Sequence, residues 1–167
     1  AWMDFGVSVL AQTGNDSAAS RVLDQLKRDV AGRDPSDQSA LAFAVGARAY
    51  WSKDGRTAIA HLERADSLRP NELYISQFLA RAYIADNQLD RAVAILERWT
   101  RFTNESRMFD PIHCVTTHYY LAQAYELSGW TQKAAEEYEK FLGLWHKADP
   151  NLQIVAHARA RLLKLRS

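Results

Sequence analysis

Residues 79–99 read LARAYIADNQLDRAVAILERW. Leu79, Ala80 and Tyr83 share one face of a first helix by their i, i+1, i+4 spacing, and Ala92, Leu96 and Trp99 share one face of a second. Asp86-Asn87 supplies the turn between them, because Asn tolerates the left-handed backbone that ends a helix. The small residues predict where the two helices approach most closely. The large ones fill the gap to a neighbouring hairpin.

The same spacing occurs twice more. Val45-Gly46 precedes Leu79-Ala80 by 34 residues, and Ala58 precedes Ala92 by the same interval, so 39–72 repeats the plan of 73–106. Here Asp54-Gly55 predicts the turn, Pro70 follows a second helix it cannot continue, and Asn71 offers an N-cap to the next one. The third copy, 115–148, carries LAQAYELSGWTQKAAEEYEKF with Ser128-Gly129 as its turn. It starts 42 residues after the second, so about eight residues are inserted relative to the period. The surplus falls in 101–114, RFTNESRMFDPIHC, and sets 107–114 apart as an inserted loop with Met108, Phe109, Pro111 and Ile112 covering a seam.

Both ends continue the pattern in altered form. Residues 1–38 read as a degenerate hairpin, with Leu10-Ala11 as the first-helix pair. Ala19, Val22, Leu23, Leu26 and Val30 then form the stripe of a second helix that starts near Ser17 and closes at Gly32. Asp149-Pro150 predicts the start of a capping helix over 149–166, with Leu152, Val155, Ala156, Ala160 and Leu163 inward. The expected fold is therefore all-α: an α-solenoid of antiparallel helical hairpins, 1–167 as one domain, ended by a solubilising helix.

Composition narrows the function classes. Lys and Arg total 21 against 20 Asp and Glu, so no global charge calls for nucleic acid or an anionic membrane. Locally the balance differs: 1–38 carries −2 and 149–167 carries +3. No apolar run approaches the ~20 residues of a membrane span, and no signal peptide is visible. Ala1-Trp2 opens straight into a helical pattern without a polar cap, which favours excision of a domain from a longer protein. The compartment stays open, with a soluble cytoplasmic setting as the default, and the single Cys114 excludes an intramolecular disulfide.

Chemical sites were sought and not found. His113, Cys114 and His118 lie close together, but zinc needs three or four ligands and no second Cys or paired His stands at suitable spacing, so no metal is expected. A Cys114 nucleophile would need a positioned base and an orienter. No glycine-rich phosphate loop exists, and no cofactor is implied. Glu136-Glu137 belong to a solvated face with Glu139 and Lys140, where Glu136 and Lys140 form an i, i+4 pair. The chain is read as a non-enzyme.

The three spaced units resemble the tetratricopeptide repeat over about 39–148, with 1–35 a weaker copy. Departures exist: Ala49 stands where the first clear unit should have an aromatic, and Asn104 where the second should end near a proline. The resemblance implies that first helices line a concave groove for extended peptides or partner helices. Carried over, the groove positions are Ala40, Phe43, Ala47 and Tyr50; Tyr74, Gln77, Arg81 and Ile84; Thr116, Tyr119, Gln123 and Glu126; and, in the degenerate unit, Phe5, Ser8, Gln12 and Asn15. Phe43, Tyr50, Tyr74, Gln77, Arg81, Tyr119, Gln123 and Glu126 form the expected partner-binding set. For the tyrosines, packing between hairpins is the competing reading.

Chaperone-binding members clamp a peptide's terminal carboxylate with Lys and Asn, and the clear units have neither at these positions, so that ligand is not implied. The stretch containing EEYEKFLGLWHKADP also resembles repeats at the C-terminus of large bacterial signalling or regulatory proteins. The leading expectation is a protein-interaction module or scaffold with a peptide or helix partner. The alternatives are self-association through an end unit, using Trp2, Phe5 and Val9, and a regulator's sensor arm with a closed pocket under 101–114.

Overall fold

The computed structural model describes residues 3–32, 34–101, 110–149 and 151–167, and these hold nine helices and no strand. Packing divides the chain into two compact units, Ala1–Asp86 and Asn87–Ser167. The all-α solenoid class expected from the repeats is what the helices form.

The first unit contains α1 (Met3–Gln12), α2 (Asp16–Asp29), α3 (Pro35–Trp51), α4 (Gly55–Leu68) and α5 (Leu73–Ala85). Helices α1 and α2 pair, α3 and α4 pair, α1 also lies on α3, and α5 lies on α4. The apolar stripe of α2 is as expected: Ala19, Leu23, Leu26 and Val30 are buried with Val7, Ala11 and Ala44, and Val22 packs against them. The α3–α4 pair closes at Gly46, where an added Cβ would lie 2.7 Å from Leu62 Cγ and 3.1 Å from the backbone O of Ala58. Ser39 Oγ donates to the Ala65 carbonyl at 2.9 Å and ties the same two helices at another point.

Several turns use different residues from those expected. The left-handed residue before α4 is Lys53, not Gly55. Asp54 there acts as the N-cap, its carboxylate accepting from Thr57 N at 3.1 Å, and Gly55 is already helical. Asn71 is itself left-handed, so it cannot cap α5; Glu72 takes the N-cap position without a side-chain bond. Asn15, not Ser17, caps α2, accepting from Ala18 N. Each correction follows from one residue more or less being spent on reversing the chain.

The second unit contains α6 (Leu89–Arg101), α7 (Pro111–Leu127), α8 (Thr131–Leu144) and α9 (Gln153–Arg166). Helix α6 packs on α7, α7 pairs with α8, and α9 covers α8. Tyr119, Ala122, Tyr138, Phe141, Val155 and Ala158 form its buried centre. Gly129, at φ +79°, makes the α7–α8 reversal, as its turn position required. Of the expected inserted loop, Met108 and Phe109 lie outside the described residues. Asp110 caps α7 instead, accepting from His113 N at 3.3 Å, so Pro111 and Ile112 are helical.

The end helix departs most from expectation. It starts at Gln153, and Asp149 accepts instead from Asn151 N at 2.8 Å, while Pro150 lies outside the described residues. Its inner face is Ile154, Val155, Ala158, Leu162 and Leu165. Leu163 is 75% exposed, and Leu152, Ala156 and Ala160 also face out. Placing the first turn three residues later rotates the inward stripe.

Candidate interaction surface

In the first unit the first helices of successive hairpins bring aromatic rings into one continuous cluster. Phe5 of α1 lies 5.5 Å from Phe43 and 4.7 Å from Tyr74, ring centre to ring centre. Phe43 meets Tyr74 edge-on at 5.0 Å and Phe78 at 5.2 Å, and Tyr50 stands 5.0 Å from Trp51. Such tilted and edge-on pairs match the quadrupoles of the rings. Arg81 lies over this cluster, its guanidinium carbon 4.4 Å from the Phe78 ring centre, 5.0 Å from Tyr50 and 5.2 Å from Trp51.

The expected groove residues divide by burial. Phe43 and Gln77 are buried, whereas Tyr50, Tyr74 and Arg81 are half-buried and keep surface to offer. Burial pushes the Tyr74 phenol up to about 12, and the nearby Asp4 carboxylate adds to the shift.

The same unit holds a cavity of about 520 Å³ lined by residues from all five helices or their caps, including Phe5, Ala40 and Tyr74. Those three were separate groove positions in the sequence. With them come Asp4, Asp29, Asp37 and Arg69, which repeat spacing did not single out. Asp4 is 3% exposed, and among the described residues its Oδ1 has no hydrogen-bond partner. Burial pushes its carboxyl above the ordinary value, with backbone amides and Arg69 pulling the other way. The acid excess of 1–38 was the one trace of this site in the sequence.

In the second unit, Tyr119, Gln123 and Glu126 lie side by side and are engaged by α9. Gln123 Nε2 donates to the Tyr119 hydroxyl at 3.2 Å, and that hydroxyl lies 2.9 Å from His157 Nδ1. Arg161 donates to Glu126 from Nε at 3.1 Å and again from Nη2. The Tyr138 hydroxyl donates to the same carboxylate at 3.1 Å. Burial alone would raise the Glu126 carboxyl, but these bonds outweigh it and leave the group below the usual range. Within this unit the three residues serve to hold the end helix.

Glu137 corrects another expectation. It is buried rather than solvated: His118 Nδ1 donates to it at 2.6 Å and Lys140 Nζ at 2.6 Å. Lys140 thus pairs three residues back, and Glu136 accepts from Gln132 instead. His113 Nδ1 likewise lies 2.6 Å from Asp110. Two separate His–carboxylate pairs therefore occupy the region around Cys114. Among the described residues no three His, Cys, Asp or Glu are grouped to hold a metal. The expected pocket under 101–114 falls partly outside the described residues; beside it, Pro111, Cys114, Val115, His118 and Leu144 line a cleft of about 100 Å³. Of the proposed self-association trio, Trp2 is outside the described residues, Phe5 is engaged in the ring cluster and Val9 is exposed.

A family model described as tetratricopeptide repeat matches residues 52–109. That match spans 58 of the 167 residues. The chain is similar in fold to two solved structures of MamA. MamA from AMB-1 aligns with a TM-score of 0.62 at 17% identity, covering 99% of this chain and 90% of that one. A double mutant of MamA from RS-1 (ArsTM) aligns with a TM-score of 0.58 at 17% identity, covering 98% and 92%. At that identity the likeness speaks for the fold. No curated protein matches the chain in sequence. No helix among the described residues is long and apolar enough to cross a membrane.

Proposed function

We propose that the chain binds an extended peptide or a helix of a partner protein on the face presented by α1, α3 and α5. Tyr50, Tyr74 and Arg81 make the contact, and Phe43 and Gln77 position them from beneath. The carrying observation is the stacked strip of rings beneath Arg81, whose guanidinium lies within about 5 Å of three ring centres. Side chains already ordered by one another lose little entropy when a partner arrives, so their contacts translate into affinity. In the second unit, Tyr119, Gln123 and Glu126 are offered to a partner only where α9 yields its hydrogen bonds to them.

The test is selection of displayed peptides on the full chain, followed by titration of Tyr74→Ala, Arg81→Ala and Tyr119→Ala. Tyr74→Ala and Arg81→Ala should each weaken a selected peptide by about ten-fold or more with helicity unchanged. Unaltered affinity in both variants would place the contact elsewhere. Tyr119→Ala tests the second unit by itself: lost binding without lost helicity would give that unit a contact of its own.

A further inference from the structure

The cavity of the first unit has a charge of definite sign. Three carboxylates, Asp4, Asp29 and Asp37, stand in its wall with one cation, Arg69. Arg69 is already taken by Glu72, three residues on, and its Nη1 reaches the Tyr74 hydroxyl at 3.5 Å. Asp29 accepts from Gln25 Nε2 at 2.7 Å through one oxygen. Asp4 differs from both, because it is almost wholly buried and one of its oxygens meets no donor among the described residues. A buried acceptor is stabilised by a donor brought to it. Around it the wall is apolar: Met3, Phe5, Leu26, Val30 and the Tyr74 ring.

We propose that this cavity receives the side-chain cation of a lysine or arginine of the partner peptide, with Asp4 as its acceptor. An ammonium or guanidinium carries donors and positive charge at the end of an apolar stem, which matches a carboxylate set behind apolar walls. The Phe5 and Tyr74 rings, 4.7 Å apart, add two negative faces to the approach. Asp29 and Asp37 sit in the same wall and strengthen the sign. A carboxylate ligand would bury like charge beside Asp4, and an alkyl ligand would leave the Asp4 oxygen without a donor. At about 520 Å³ the space exceeds what one side chain needs, so the flanking peptide backbone enters with it. Selection for a cation reverses the terminal-carboxylate preference of the clamps found in chaperone-binding members of the family.

The inference rests on the peptide-binding reading above, and the experiment separates the two. Four fluorescent decapeptide pools, randomised except for a central lysine, arginine, norleucine or glutamate, are titrated against the full chain by polarisation. The lysine and arginine pools should bind about ten-fold tighter than the norleucine pool, whose side chain lacks only the charged group. Asp4→Asn should bring the lysine and arginine pools to the level of the norleucine pool, and Asp29→Asn should reduce the preference in part. Circular dichroism confirms that each variant is folded, and Asp29→Asn carries the test alone if Asp4→Asn is not. Equal binding of all pools, unaltered by either variant, refutes the cation site and leaves peptide binding standing. Binding of no pool overturns both. Competition by N-acetyl-lysine methylamide as strong as that of a whole lysine peptide would refute a peptide ligand in favour of a small amine.

Discussion

Replacing Gly46 by Ala should loosen the α3–α4 pair. The new Cβ would stand 2.7 Å from Leu62 Cγ and 3.1 Å from both the Ala58 carbonyl oxygen and the Leu62 amide nitrogen. Carbon atoms settle at about 3.5–4.0 Å, so the shortfall at Leu62 is about 1 Å. A side chain alone could turn away, but two of the three obstructing atoms are backbone. Ala58 and Leu62 are fully buried, and Ser39 pins the helices together nearby, so α4 must shift as a body. Overpacking of this kind costs about 1–3 kcal/mol. Helix propensity works the other way, since Ala exceeds Gly by about 1 kcal/mol in a helix interior. Gly6 isolates the two effects: it lies in α1 of the same unit with nothing within 4 Å of an added Cβ. Gly6→Ala should therefore stabilise the chain, and Gly46→Ala should fall below it by about 1–3 kcal/mol. The assay is urea unfolding followed by far-ultraviolet circular dichroism, with parallel melts, where each kcal/mol moves Tm by about 2–4 °C at this size. Equal stabilisation by both substitutions would refute the close approach.

Other substitutions have signed consequences. Because burial raises Asp4, the folded chain keeps this proton to higher pH than the unfolded chain does. Its contribution to stability therefore declines as pH rises from the unfolded carboxylate value of about 3.9. Asp4→Asn should be more stable than the parent at pH 7, by about 1 kcal/mol, and equal to it at about pH 3, as read by urea titration. Glu137 runs the opposite way: its carboxyl is held down by His118 and Lys140 against the rise that burial would cause, so its stabilisation is present above about pH 4.3 and is lost on acidification. Glu137→Gln should cost about 1–3 kcal/mol at pH 7 and flatten the acid limb of the stability curve. Under the one-domain reading, Gly46→Ala and Glu137→Gln should each lower a single transition seen by all probes; two separate transitions would assign each unit its own melting.

The legible part of the fold was what depends on repetition. Leu79, Ala80, Ala92 and Leu96 were placed by spacing alone, and all are buried. Repeat spacing carries less information about how chains turn. Lys53 took the left-handed position because Asp54 was needed as a cap, and Asn71 took one because Glu72 could open α5 without a side-chain bond. Tertiary electrostatics were still less legible. Glu137 looked solvated beside Glu136, yet His118, 19 positions earlier, turns it inward as a partner. Asp4 was hidden for a similar reason: its burial depends on residues of α2, α3 and α5 that no local pattern brings together. Tyr74 could be named from its repeat position, but the carboxylates beside it could not.

The grip of Arg161 on Glu126 bears on how arrays of this type change length. A hairpin grafted in place of α9 would inherit a carboxylate that already accepts from Tyr138 and would have to supply its own cation. Without one, the graft seals the apolar seam of α8 and leaves a partly covered negative charge beneath it. Charge, as much as shape, thus fixes what can be appended to the last hairpin. Within the second unit, replacing α9 therefore calls for a new donor to Glu126 along with the new helices.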